Sequence, residues 1–170
     1  NASPKNSTYH LRDVFKNTTL TVTMSDDELR KMYERQFGPF VHMGPEDKAI
    51  WLRFLMRGGT RFAPFTYDLR VGDGVPLPSH ASERERKIAQ ALTTKRIDVL
   101  WMHDGETIIC EVKKRAGSTA IGQLILYADL YRRTFPDMPP PRKLLLTDRL
   151  EPDLTSTLIA NDIQYLEIGL

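Results

Sequence analysis

Asp98, Glu111 and Lys113 are the residues whose types and spacing suggest chemistry. They sit in a stretch, Arg96 to Arg115, made of two apolar, β-branched and aromatic runs on either side of Asp104-Gly105. That dipeptide strongly favours a two-residue hairpin turn. With Asp104 and Gly105 at the centre of the turn, Trp101 faces Ile108 and Asp98 faces Glu111; a bulged three-residue loop would break this register. Carboxylates opposed in that way lie about 4.5–5.5 Å apart at Cβ and repel one another. In strands that are otherwise apolar they require a proton, a cation or a metal to compensate them. Lys113, two residues beyond Glu111, falls on the same strand face. An acid pair with an amine beside it suits a hard divalent cation and a polarised water.

The arrangement resembles the active-site hairpin of the PD-(D/E)xK nuclease superfamily, with Asp98 as the first acid and Glu111-Val112-Lys113 as the E-x-K element. Ile97 stands where that pattern usually has a proline. Two further segments extend the resemblance. Upstream, Ser82 to about Leu92 reads as a helix whose buried stripe is Ile88, Ala89 and Leu92, and Glu85 falls on that stripe three, four and seven residues earlier. The superfamily carries a glutamate that orients the metal at such a place; Glu83 is the alternative. Downstream, Gln123 to Tyr127 is similar to the QxxxY element of the RecB and lambda-exonuclease-like branch. Positions i and i+4 put the amide and the phenol on one helix face.

The resemblance implies a Mg²⁺-dependent nuclease, with Mn²⁺ able to substitute, that hydrolyses DNA to 5′-phosphate products in a phage or repair setting. Asp98, Glu111, the carbonyl of Val112 and Glu85 would hold the metal. Lys113 would orient the attacking water, and Gln123 and Tyr127 would position a carboxylate or a phosphate. Arg84, Arg86, Lys95, Arg96, Lys114 and Arg115 flank these positions and are candidates for DNA-phosphate contacts if they share a face. No base-reading signature accompanies them. A ribonuclease with the same chemistry, and a binding or assembly module that kept the fold without activity, are the competing readings.

The elements that must position these residues follow from the periodicity. After the helix and the hairpin come a helix from Thr119 to Arg133, a strand from Lys143 to Thr147, a helix from Asp153 to Ala160 and a strand from Ile163 to Ile168. The order α-β-β-α-β-α-β predicts an α/β fold: a central mixed sheet with helices on both faces, as in the restriction-endonuclease-like core the motif resembles. Earlier, Ser25 and Glu28 form a capping box that opens a helix through about Phe37. Pro45 starts another helix with Ile50, Phe54 and Leu55 on its apolar side, and Phe65 to Val71 reads as a strand. Leu11 to Val22 suits a short strand or irregular structure, and residues 1–6 a frayed end. Gly72 to His80 is rich in turn residues and suggests a boundary between a helical and mixed N-terminal extension, 1–78, and a nuclease-like core, 79–170. The extension could serve substrate choice, a protein partner or a homodimer contact.

Composition bounds the rest. The chain has 170 residues, 41% hydrophobic and 27% charged, with net charge +2, an ordinary globular balance that permits nucleic-acid binding without arguing for it. The single cysteine, Cys110, lies in an apolar run, which excludes a disulfide framework and suggests a buried thiol in a cytoplasmic protein. His10, His42, His80 and His103 are scattered, so a zinc site is not expected. No apolar run reaches the roughly 18 residues that span a bilayer, and no membrane partner is expected.

Overall fold

The computed structural model describes residues 6–13, 18–40 and 42–169. A hairpin of β1 (Asn6–Asp13) and β2 (Thr18–Ser25) comes first, then α1 (Asp26–Phe37) and α2 (Pro45–Met56). β3 (Phe65–Val71), α3 (Glu83–Thr93), β4 (Lys95–His103), β5 (Glu106–Ala116), α4 (Ser118–Thr134), β6 (Arg142–Leu150), α5 (Thr155–Ala160) and β7 (Ile163–Glu167) follow. The main sheet is five-stranded and mixed, ordered β3-β4-β5-β6-β7. β3, β4 and β5 are antiparallel neighbours, whereas β5, β6 and β7 run parallel through the α4 and α5 crossovers. The order expected from Ser82 onward is therefore present. No helix among the described residues is long and apolar enough to cross a membrane.

Local chemistry accounts for the element ends. The Ser25 hydroxyl accepts the Glu28 N–H while the Glu28 carboxylate takes the Ser25 N–H, closing the capping box of α1. Pro45 lies in the first turn of α2, where a missing N–H costs nothing. Asp104 and Gly105 both have positive φ, 50° and 79°, the backbone that a tight twisted hairpin turn requires.

Both faces of the sheet are covered. On one face α1 and α2 bring Leu29, Ile50, Trp51, Phe54 and Leu55 against Val99, Trp101, Cys110, Val112 and Leu146. Trp51 and Trp101 belong to a run of ring contacts with Phe54, Phe62 and Phe65. On the other face α4 and α5 bring Ala120, Ile121, Leu124, Tyr127, Tyr131 and Leu158 against Ile97, Ile109 and Leu145. Burying a side chain of this size stabilises by roughly 1.5–3 kcal/mol, so strands carrying apolar residues on both faces fix the sheet between two helical layers.

Two expectations are corrected. The proposed boundary at residue 78/79 divides a continuous structure: β3 pairs with β4 from Phe65↔Trp101 to Val71↔Lys95, and α2 supplies one helical layer of the sheet. The turn-rich segment 72–80 is a connector from an edge strand into α3. Second, α3 is not core-facing, and no residue of it is buried. Ile88 and Leu92 are 49% and 76% exposed, so the apolar stripe exists but no layer of the sheet receives it. Of the first six residues, only Asn6 lies within the described residues, at the start of β1.

Candidate active site

The site lies where β4 and β5 part. From the turn the ladder runs regularly, His103↔Glu106 through Trp101↔Ile108 to Val99↔Cys110, and there it stops. At the next position the Val112 N–H donates to Asp98 Oδ2 at 3.0 Å: a carboxylate replaces the backbone carbonyl that would continue the sheet. On the other side of β4, Tyr67↔Val99 and Leu69↔Ile97 are paired, but Asp68 between them is not. Its φ of 55° puts it in the left-handed region, which costs about 1–2 kcal/mol for an ordinary residue and less for aspartate. Asp98 is thus flanked on both sides by interruptions of the ladder.

Glu111 lies on the same face of β5 as Lys113, with 1% of its surface exposed. Lys113 Nζ is 2.7 Å from Glu111 Oε1 and 3.7 Å from Asp98 Oδ2. Apart from this amine, neither Glu111 oxygen has a hydrogen-bond partner among the described residues. Burial first, and then the Asp98 charge, push the Glu111 carboxyl up to about 7 despite Lys113. Burial also raises Asp98, opposed by Lys113 and by the Val112 N–H. Lys113 is raised despite its own burial because Glu111 and Asp98 hold its proton. The sequence expectation that two acids and an amine meet here is met geometrically, although Asp98 and Glu111 are not a ladder pair.

Glu85 does not join them. Its carboxylate takes the Ser82 N–H at 2.8 Å and the Ser82 hydroxyl at 2.6 Å, while its own N–H donates to Ser82 Oγ. It is exposed and held below the usual carboxylate range by those bonds. Ser82-x-x-Glu85 is a second capping box, so its glutamate is committed to the helix start. Glu83 is also elsewhere, paired with Lys87.

The acids that do act on the pair come from segments not singled out in the sequence. Asp47, in the first turn of α2, accepts the Lys114 N–H through Oδ1 at 2.9 Å and raises both Asp98 and Glu111. Asp68 also raises Asp98. Asp47 had one sequence signal, an acid next to Pro45 at a helix start, but nothing local ties that start to β5. Among the described residues no three Asp, Glu, His or Cys side chains converge closely enough to form a ready-made metal cage.

α4 covers the site. Gln123 Nε2 donates to the Tyr127 hydroxyl at 3.1 Å, and Gln123 Oε1 is buried without a partner among the described residues. Burial raises the Tyr127 phenol, Gln123 opposes this, and the Glu111 and Asp98 charges add to it. The basic candidates divide. Lys95, Arg96, Lys114 and Arg115 lie at the site end of the sheet, where Arg96 meets His42 Nδ1 at 3.0 Å and Lys114 pairs with Glu46. Arg84 is on the exposed α3, and Arg86 is folded onto the carbonyls of Ser79 and Ala81. Lys114 points to the α2 face, away from Lys113.

The Glu111 carboxylate, buried with only the Lys113 amine beside it, keeps unused acceptor capacity of the kind a cation or a water takes. Magnesium is commonly bound by one or two carboxylates and keeps several waters, and the Asp98 and Glu111 carboxylates, both within 4 Å of Lys113 Nζ, are donors of that kind. Comparison with protein-family models, with curated proteins and with solved structures gives no match in any of the three.

Proposed function

We propose that this chain is a metal-dependent phosphodiesterase acting on nucleic acid, with DNA as the first substrate, on a restriction-endonuclease-like core. The observation that carries the reading is the buried, otherwise unpartnered Glu111 carboxylate, held by Lys113 beside Asp98 where the ladder opens. A structural ion pair has no need to interrupt the sheet on both sides of its acid.

Asp98, Glu111 and the Val112 carbonyl would hold Mg²⁺ or Mn²⁺. Such an ion, when bound, polarises the phosphate and lowers the pKa of water. Asp47 takes the supporting acidic role expected of Glu85: it holds the β5 backbone at Lys114 and adds negative potential at the site. The Lys113 ammonium orients the attacking water and neutralises charge on the pentavalent phosphorus. The water oxygen bonds to phosphorus in line with the bond from phosphorus to O3′, which breaks; the water releases a proton to solvent, O3′ takes one up from solvent and leaves as a hydroxyl, and the 5′-phosphate remains. Gln123 and Tyr127, joined to each other, place a polar edge over the acids.

A second reading, a binding module without activity, is favoured by the contact of Lys113 with both acids and by the lack of a three-acid cage among the described residues. One experiment separates them. Single- and double-stranded DNA and RNA oligonucleotides are incubated with the protein in Mg²⁺, Mn²⁺ or EDTA, alongside Lys113→Ala and Glu111→Ala. Divalent-dependent cleavage lost in both variants is the expected result. Cleavage that survives both ends the site assignment, and binding without cleavage, indifferent to both, favours the module.

A further inference from the structure

β3 and β4 exchange the faces of the sheet at the same rung. On β3, Phe65 and Tyr67 pack into the α1–α2 layer, where Tyr67 meets Phe40 and Trp51, whereas Leu69 and Val71 pack into the α4–α5 layer. On β4, Trp101 and Val99 belong to the first layer and Ile97 to the second. Residues two apart on a strand ordinarily share a face, so each strand turns about its own axis between these positions. The register is the same on both sides of the turn, Tyr67↔Val99 before it and Leu69↔Ile97 after it. Between them lie Asp68 and Asp98, set opposite each other by that register and not paired.

Asp68 carries the conformational exception. The described non-glycine residues of positive φ are Asp68, Asp104 and Asp162, and Asp68 alone lies inside a strand. Aspartate visits the left-handed region more readily than most residues, whereas a β-branched residue there is an outlier. The turn acts one strand away. A strand side chain ordinarily stands perpendicular to the sheet and does not reach a ladder N–H of the next strand, which points along it. Asp98 does reach one, since its Oδ2 accepts the Val112 N–H at 3.0 Å. Rotation at this rung lays the Asp98 carboxylate along the sheet toward β5. There Oδ2 is also 3.7 Å from Lys113 Nζ, which holds Glu111 at 2.7 Å. An extended residue 68 would keep Tyr67 and Leu69 on one face, so β3 would give up one of its two core contacts or β4 would lose its turn.

We propose that Asp68 is a positioning residue for Asp98: its left-handed backbone turns β3 and β4 together and so delivers the Asp98 carboxylate to the Val112 N–H and to Lys113. The role belongs to the backbone of residue 68 and not to its charge. The proposal rests on the nuclease reading for its catalytic consequence alone; the placement of Asp98 is read separately.

Two measurements test it. Amide hydrogen exchange of Val112, followed by NMR in EDTA, reads the bond to Asp98 without cleavage, and oligonucleotide cleavage in Mg²⁺ reads the consequence. Asp68→Val disfavours the left-handed backbone; it should speed Val112 exchange severalfold and lower cleavage by about 10²-fold, the scale of a small misplacement at a reacting centre. Asp68→Asn and Asp68→Gly tolerate that backbone and should match the wild type in both. Asp162→Val makes the same backbone change in the exposed turn before β7 and should leave Val112 and cleavage per folded molecule unaltered. If Asp68→Val does not fold, Asp68→Ala carries the comparison. Losses in Asp68→Asn as deep as those in Asp68→Val make the charge the agent and overturn the proposal. A Val112 amide indifferent to Asp68→Val, or equally disturbed by Asp162→Val, overturns it too. The expected exchange pattern in a protein that never cuts overturns the nuclease reading alone.

Discussion

The two ends of the β4–β5 hairpin are made from the same strands and obey opposite rules. At the turn end every position from His103↔Glu106 to Val99↔Cys110 is paired, and Asp104-Gly105 supplies the backbone the turn demands. At the far end a carboxylate takes a ladder hydrogen bond, and a second acid is buried against a lysine. The turn end follows from local sequence preferences alone. The far end is costly by those preferences and persists because α2, α4 and β6 hold it. A segment that violates strand chemistry next to one that satisfies it is where function is to be sought.

The widest separation between the ends is in catalysis. Glu111→Gln keeps the shape and removes the charge; cleavage should fall by at least about 10³-fold, the scale of losing a main electrostatic contributor. Gly105→Ala, which forces a Cβ onto φ 79°, should cost about 1–2 kcal/mol of stability and leave cleavage per folded molecule intact. Oligonucleotide cleavage together with thermal melts reads both. If the turn variant loses cleavage as deeply as Glu111→Gln, the two ends are not functionally distinct.

The pH dependence of stability sharpens the contrast next. Glu111 is raised from 4.5 to about 7 by burial and by Asp98, so the folded state binds its proton more tightly than the unfolded state does. Stability contributed by this group is fully present below about 4.5 and is lost as pH rises to about 7, a change of roughly 3 kcal/mol. The raised Asp98 acts in the same direction. Metal-free protein should therefore melt lower at pH 8 than at pH 5.5, and Glu111→Gln should remove most of that difference. Urea unfolding of both proteins across this range is the measurement. A wild-type curve parallel to that of the variant would mean Glu111 is not buried in its charged form.

Much of this architecture was legible. The hairpin register as far as Val99↔Cys110, though not the expected Asp98–Glu111 pair, the strand order after Ser82 and the grouping of Lys113 with Glu111 followed from period-two alternation and one turn dipeptide. Less legible was anything that depends on which surface a helix finds. Glu85 lies on the apolar stripe of α3, yet that stripe meets no core, and the same Ser-x-x-Glu pattern that marked α1 explains Glu85 as a cap. Asp47 could not be assigned because its relation to Asp98 exists only once α2 lies on β5. The N-terminal region read as an appendage because β3 pairs forward to β4 across an intervening helix, a connection that no local pattern encodes.

This exchange of acids gives the third test. Asp47→Asn should lower cleavage by about 10–100-fold, the usual effect of a group that orients or charges a metal site without binding the metal itself. Glu85→Gln should leave the rate unchanged. A loss with Glu85→Gln and none with Asp47→Asn would restore the expectation that α3 supplies the supporting acid.

The smallest effect concerns the two capping boxes, which share one pattern on helices of different burial. Glu28 caps α1, which buries Leu29 and Tyr33; Glu85 caps α3, which buries nothing. Replacing either by Ala removes a charge-assisted bond to the N-cap backbone, worth about 1 kcal/mol to the helix. In α1 the loss should appear in global stability, because that helix unfolds with the core. In α3 it should appear as local fraying, with faster amide hydrogen exchange from Glu83 to Ala89 and little change in melting temperature. Exchange mass spectrometry of Glu28→Ala and Glu85→Ala resolves the two. Global destabilisation by Glu85→Ala equal to that of Glu28→Ala would mean that α3 is coupled to the sheet more tightly than its exposed stripe allows.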